Sequence, residues 1–152
     1  MKKNAHSLIL EQHLFYLFGQ ALVRRDRMLR HALKPLRLEV DQWRILASLH
    51  EREGCSVTVL ADTTAIERTT LTRALARMRT KHLVERRRDE FDRRAARLRL
   101  STKGRRLYER ALPIVLRQNE LAVVGMNAEE VAAFRAQLWR LIHNLDAKTA
   151  AP

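Results

Sequence analysis

Residues Thr64–Gly104 read TAIERTTLTRALARMRTKHLVERRRDEFDRRAARLRLSTKG, and this stretch decides the fold. Glu67–Lys81 has helical period: Leu71, Leu75 and Met78 fall on one side at i, i+4 and i+7. At about 100° per residue, Thr69, Arg73, Ala76 and Arg77 then point the opposite way, with Thr70 and Thr72 on the flanks. The outward face is made of hydroxyls and guanidinium groups around one small residue, Ala76, which lets a helix approach a groove floor closely. After Leu83 the period changes. Val84–Arg88 leads to a polar tip at 89–94, and in the return strand Ala95–Leu100 the residues Ala96, Leu98 and Leu100 alternate with Arg97 and Arg99. That alternation predicts a half-buried strand, and the pair of strands a β-hairpin with a charged tip. Ser101 sits where it caps a further helix.

Charge is concentrated on this unit. Glu67–Arg106 carries 15 of the chain's 30 Lys and Arg residues and 5 of its 17 acids, a net +10 of the formal +13. A basic helix-plus-hairpin is what a duplex nucleic-acid reader requires, because phosphate neutralisation supplies most of the affinity. At 152 residues, 46% hydrophobic, the chain is long enough for about one domain with a core. Its pI near 11.2 points to a polyanion. The single cysteine, Cys55, excludes an internal disulfide framework and fits a reducing cytoplasm. The run Leu8-Ile9-Leu10 is too short for a signal-peptide core, and no segment approaches ~18 apolar residues, so no membrane span or membrane partner is expected. No phosphate-cradling glycine loop, nucleophile elbow or paired-carboxylate site is present, so the chain does not read as an enzyme. Its six histidines show no clustering with acids or with Cys55 that would hold a metal, and no cofactor is expected.

Working outward, Leu8–Leu33 predicts one long helix, roughly 39 Å at 1.5 Å per residue, on which Leu14, Phe18, Ala21, Leu22, Leu29 and Ala32 recur at helical spacing. Pro35 stops it. Such a helix needs a partner beyond its own domain to cover its apolar stripe. Glu39–Glu53 predicts a second helix with Trp43, Leu46, Ala47 and Leu49 inward and Gly54 as a left-handed cap. Thr58–Thr63 predicts a third, turning at Ala65-Ile66 into the helix already described. After Ser101, a helix runs from Thr102 to about Val124, kinked but not stopped by Pro113. Asn127 with Glu130 forms a capping box, and a last helix carries Val131, Phe134, Leu138, Leu141, Ile142 and Leu145 on one stripe. The fold class is mainly α with a small β-hairpin.

The order of elements resembles the MarR family of winged helix-turn-helix transcription regulators over about Leu8–Leu145. The likeness is carried by Leu60-Ala61 followed by Ile66-Glu67-Arg68-Thr69-Thr70-Leu71-Thr72-Arg73, which is similar to the family's helix-turn-helix core. It is carried also by Asp92-Arg93-Arg94, similar to the wing motif D-x-R, and by Leu98-Arg99-Leu100-Ser101-Thr102-Lys103-Gly104, similar to the helix start that follows. Gln42-Trp43 before Ile45-Leu46 fits the second helix. Three positions depart from the pattern: Glu39 stands where a Thr cap is usual, Ala65 where the turn often has Gly, and His82 where Gly usually follows the recognition helix.

The resemblance implies a winged helix-turn-helix domain at 36–104 and a helical dimerisation region at 1–35 and 105–152. It implies a homodimer that reads palindromic double-stranded DNA, with half-sites about one helical turn (~10 bp) apart. The DNA-binding set expected is Arg68, Thr69, Thr70, Thr72, Arg73, Arg77, Arg86, Arg88, Asp92, Arg93 and Arg94. Arg73 and Arg77 face guanine edges or phosphates, and the threonines face phosphates or thymine methyls. Arg94 reaches a minor groove, with Asp92 bracing an arginine, while Arg86–Arg88 mostly add field. The resemblance further implies a repressor released by a small aromatic carboxylate or phenolic effector, for which Phe18, Arg24, Trp43, Arg44 and Tyr108 are the candidate residues. The alternative from another class is a non-specific basic architectural or RNA-binding protein, which accounts for the charge but not for the hydroxyl-rich face or the D-x-R tip.

Overall fold

The computed structural model describes residues 9–88 and 96–149. Among them are six α-helices and one antiparallel hairpin, in the order α1 (Leu14–Leu33), α2 (Val40–Glu51), α3 (Val57–Thr64), α4 (Arg68–Thr80), β1 (Val84–Arg88), β2 (Ala96–Leu100), α5 (Thr102–Ala122) and α6 (Ala128–Thr149). The chain divides into two compact units, Met1–Gln118 and Asn119–Pro152.

The first unit holds the core. Leu29 and Leu33 of α1, Ile45, Leu46 and Leu49 of α2, Leu60 of α3, Leu71 and Met78 of α4, and Leu98 of β2 are all buried against one another. The core-facing residues expected on α4 are in place, joined by Ala74. In β2 the alternation holds as well: Leu98 and Leu100 are buried while Arg97 and Arg99 are exposed. Val84 pairs with Leu100 and Arg86 with Leu98, so the apolar residues of both strands share one face.

Backbone caps explain where the elements stop. His82 at φ 56° ends α4 in a left-handed residue: its N–H donates to the Arg79 carbonyl and the Leu83 N–H to that of Met78, both 2.9 Å. This 5→2 and 6→1 pair is the Schellman arrangement, and it buries Leu83 as its hydrophobic partner. Ala65 ends α3 in the same conformation at φ 51°, so a residue with a Cβ occupies a position that favours glycine. At the start of α2, Gln42 Oε1 accepts the Glu39 N–H at 3.3 Å, so Glu39 with Gln42 replaces the usual Thr cap. At α6, Glu130 Oε2 accepts the Asn127 N–H and Asn127 Oδ1 accepts the Glu130 N–H, closing the expected box.

Three boundaries differ from the sequence reading. The first helix is not continuous from the segment at Leu8. A 3₁₀ turn at Leu10–Gln12 precedes it, and α1 begins at Leu14 with His13 extended and its Nδ1 accepting the Tyr16 N–H. The start of the expected helix, Leu8, lies outside the described residues. Helix α2 ends at Glu51 because Arg52 leaves the helical region. Gly54, at φ 80°, belongs instead to a turn whose N–H donates to the Leu98 carbonyl. Helix α5 runs through Pro113 without stopping, as expected, but ends at Ala122.

Candidate nucleic-acid interface

The outward face of α4 is assembled by the burial of its other side. With Leu71, Ala74, Leu75 and Met78 inward, Thr69, Thr70, Thr72, Arg73, Ala76, Arg77, Arg79 and Thr80 are exposed. The threonine hydroxyls are partly committed. Thr72 Oγ1 donates to the Arg68 carbonyl and Thr80 Oγ1 to the Arg77 carbonyl, each at 2.8 Å. Thr72 therefore presents its methyl group and an acceptor lone pair rather than a free O–H. Arg68 reaches back to Thr58 Oγ1 on α3 at 3.4 Å, tying the two helices of the turn together.

The N-terminus of α4 is closed by Glu67. Its carboxylate accepts the N–H groups of Thr69 (2.9 Å) and Thr70 (3.0 Å). The Thr69 N–H first, and then the Thr70 N–H, hold the carboxyl below its ordinary value of 4.5. These are the donors a helix terminus would otherwise offer to a phosphate. With these N–H groups taken by Glu67, the face offers side chains rather than the helix terminus to an anion, and the sequence pattern alone did not reveal this.

The hairpin continues the basic surface. Arg86, Arg87, Arg97 and Arg99 are exposed, and Arg87 is shared with Glu85 at 3.7 Å. An open basin of about 690 Å³ lies between α4 and β1, lined by Ala76, Arg79, Thr80, Val84, Glu85, Arg86 and Arg87. Arg88 lies in β1 as expected; Asp92, Arg93 and Arg94 lie outside the described residues.

Two features that periodicity does not carry fix the hairpin in place. The first is a short bridge to the α2–α3 connection: Gly54 N–H to Leu98 O at 2.9 Å and Leu98 N–H to Cys55 O at 3.0 Å. Arg97 adds a bond to the Gly54 carbonyl at 3.2 Å. The second is a latch at the hairpin base. Ser101 N–H donates to Leu83 O (3.1 Å) and Ser101 Oγ to His82 O (2.6 Å), while Ser101 Oγ accepts the Gly104 N–H (3.0 Å). Lys103 Nζ donates to Lys81 O at 2.9 Å. Gly104 lies so close to this latch that a Cβ there would stand 2.1 Å from the Leu83 carbonyl oxygen. The Ser-Thr-Lys-Gly run is therefore a steric and hydrogen-bonding requirement of the wing base.

Of the residues considered for a small ligand, the structure brings two together. Trp43 stacks on Tyr108 with ring centroids 5.4 Å apart and 2° between planes, and His50 also stacks on Tyr108, with ring centroids 4.1 Å apart. Trp43 is buried within the core. Arg44 is already paired, with Asp26 at 3.3 Å and Asp41 at 3.7 Å. Arg24 is bonded to Gln20 one turn earlier. Phe18 meets Phe15 on its own helix and, among the described residues, no ring of the Trp43 stack. Burial pushes the Cys55 thiol up, which keeps it protonated and weakly nucleophilic. Among the described residues no group of His, Cys, Asp and Glu is arranged to hold a metal, and no helix is long and apolar enough to cross a membrane.

Residues 37–95 match the model of the MarR family. A solved MarR-family transcriptional regulator from Silicibacter pomeroyi is 30% identical to this chain, with a TM-score of 0.78; the match covers 89% of this chain and 91% of that one. A mutant MarR from Escherichia coli, complexed with operator DNA, is 26% identical over 84% of this chain and 92% of its own, with a TM-score of 0.77. The transcriptional repressor CouR, bound to a 23-mer DNA duplex, is 26% identical over 88% and 94%, with a TM-score of 0.79.

Proposed function

This chain belongs to the MarR family of DNA-binding transcription regulators, and from that premise we propose that it is a homodimeric repressor that reads a palindromic DNA site and is released by a small aromatic or phenolic ligand. The observation that carries the reading of DNA is the outward face of α4. It presents Thr69, Thr70, Thr72, Arg73, Ala76 and Arg77, and the one acid at its start, Glu67, is folded onto the helix's own N–H groups. The small Ala76 permits close approach to a groove floor, Arg73 and Arg77 suit guanine edges, and the Thr72 methyl suits thymine. Arg68, Arg86, Arg88 and Arg93 add phosphate contacts and field. Arg94 enters the minor groove with Asp92 as its brace.

The helical parts at 1–35 and 105–152 pair two chains, and 36–104 is the reading domain. In support, α1 exposes Leu14, Phe15, Leu17 and Leu22, and α6 separately exposes Phe134, Trp139, Ile142 and Leu145. Apolar surface of that extent on helices marks an interface. The stacked rings of Trp43 and Tyr108 support an aromatic effector nearby, with Phe18 and Arg24 at its margin. A ligand carboxylate that reaches Arg44 competes there with Asp26 and Asp41. Release then follows by linkage: a ligand that binds the non-reading geometry more tightly lowers DNA affinity by its differential binding energy. The site of action is the cytoplasm.

The test is binding to a palindromic fragment from the protein's own upstream region against random duplex at ~150 mM salt. The expected specificity ratio is about a thousandfold or more; a ratio near one returns the protein to the class of non-specific basic nucleic-acid binders. Arg94→Ala is expected to weaken the specific complex at least about tenfold with dimer mass unchanged, and an unaltered gel-shift affinity removes the minor-groove role.

A further inference from the structure

Glu67 offers more than a helix cap requires. Ser56 starts α3 with one oxygen, its Oγ accepting the Val59 N–H at 3.3 Å, and a short side chain of that kind is the common choice for such a position. At α4 both carboxylate oxygens are engaged: Oε1 accepts the Thr69 N–H at 2.9 Å and Oε2 the Thr70 N–H at 3.0 Å. Two bonds fix the carboxylate in one orientation, so it loses little further freedom on meeting a ligand. An ionised carboxylate has about four lone-pair sites, and the backbone takes two of them. The Thr69 and Thr70 hydroxyls also help to hold its carboxyl low, but a hydroxyl rotor is free to turn away. Glu67 is exposed, and among the described residues no Lys or Arg pairs with it. Its neighbour Arg68 is drawn back to Thr58 on α3.

An acid at this place works against phosphate. It opens the segment that carries 15 cations and 5 acids, where each negative charge lowers the electrostatic part of duplex binding. The N-terminal residues of a recognition helix are those that meet base edges in the major groove, and there a fixed carboxylate is selective. It accepts hydrogen bonds and donates none. Guanine shows it two acceptors, thymine an acceptor and a methyl, and adenine an acceptor beside its amine. Cytosine alone shows a donor, its N4 amine, with no acceptor next to it. Glu67 therefore complements one base of the four.

We propose that Glu67 is a specificity-determining residue that reads a cytosine N4 amine in each half-site while its inner lone pairs hold the start of α4. This rests on the reading of duplex DNA by α4 proposed above. The test is selection of bound sites from a pool of random-sequence duplexes by the full-length wild type, Glu67→Gln and Glu67→Ser. The wild type is expected to fix cytosine at one position of each half-site. In Glu67→Gln, whose amide oxygen still caps the helix, an N–H₂ donor faces outward, and the same position is expected to move to a base that bears an acceptor. In Glu67→Ser, which caps α4 as Ser56 caps α3, that position is expected to relax while the others stay. On defined duplexes, cytosine to thymine at that position is expected to weaken the wild type at least about fivefold and Glu67→Ser less than about twofold. A cap lost through substitution weakens every site alike, so it cannot imitate a change of base at one position. The proposal is overturned if the three proteins select the same sequence, or if the wild type tolerates thymine in place of the cytosine. If the wild type enriches no sequence at all, the repressor reading itself fails and takes this inference with it.

Discussion

The hairpin base and the outer face of α6 follow opposite rules. At the base, every polar group between His82 and Gly104 that the latch uses has a partner within the chain, and the space is filled to the point where one extra methyl meets a carbonyl oxygen. On α6 the large residues Phe134, Trp139, Ile142 and Leu145 are about half exposed. The first region is closed within one chain, while the second leaves large apolar side chains at the surface. If the proposed dimer forms through α6, the hairpin base and the α6 surface are stabilised by different means and respond differently to substitution.

The comparison is broken most severely at Gly104. Gly104→Val forces the Leu83 carbonyl out of the latch and is expected to cost about 3 kcal/mol, read as a shift of the urea midpoint. Stability equal to wild type would mean that the base is not closed. Next is the apolar stripe of α6. Phe134→Asp with Ile142→Asp is expected to weaken self-association at least about a hundredfold, near 2.7 kcal/mol, with the helical circular dichroism signal of the reading unit retained. Light scattering that still shows a dimer at micromolar concentration would sink the interface. A smaller effect of opposite sign belongs to Ala65. Its left-handed backbone is strained by about 1–2 kcal/mol relative to glycine, offset by about 0.5–1 kcal/mol of unfolded-chain entropy. Ala65→Gly is therefore expected to raise stability by about 0.5–1 kcal/mol in thermal melts.

The smallest effect concerns acid. The carboxyl of Glu67, held by the Thr69 and Thr70 N–H groups, and that of Glu53, held by the Arg105 guanidinium at 2.5 Å, both lie below their ordinary value of 4.5. A lowered folded-state value means that the stabilisation is full above 4.5 and disappears as pH falls through the folded value. Melting temperature should accordingly fall more between about pH 6 and pH 3.5 in the wild type than in Glu67→Gln/Glu53→Gln. Parallel curves would show that these bonds do not contribute.

Much of this was legible in the sequence where the chemistry is local. Ser101, Asn127 with Glu130, and the leucine rows of α4 and β2 mark their elements by spacing and by capping side chains, and His82 marked its own left-handed turn. The start of α1 was not legible, because Leu8, Ile9 and Leu10 continue the apolar rhythm across a break made by His13, which is not among the common capping residues. The Cys55–Leu98 bridge left no trace either, since a single paired residue has no period. The engagement of Arg44 by Asp26 depends on two helices meeting, which spacing along one chain does not report. For the reading face, composition identified the residues, but the closure of α4's N-terminus by Glu67 needed coordinates.

The bridge between Gly54 and Leu98 also bears on the order in which the protein assembles. It joins segments about 44 residues apart, and closing a loop of that length costs roughly 3 kcal/mol of chain entropy. Its two backbone bonds return only about 1–3 kcal/mol together. They cannot nucleate anything and form once α3 and α4 have already packed. The amide protons of Gly54 and Leu98 should therefore exchange with solvent together, and earlier than those of Leu71 or Met78, which makes the wing the first part of the reading unit to open and the last to close.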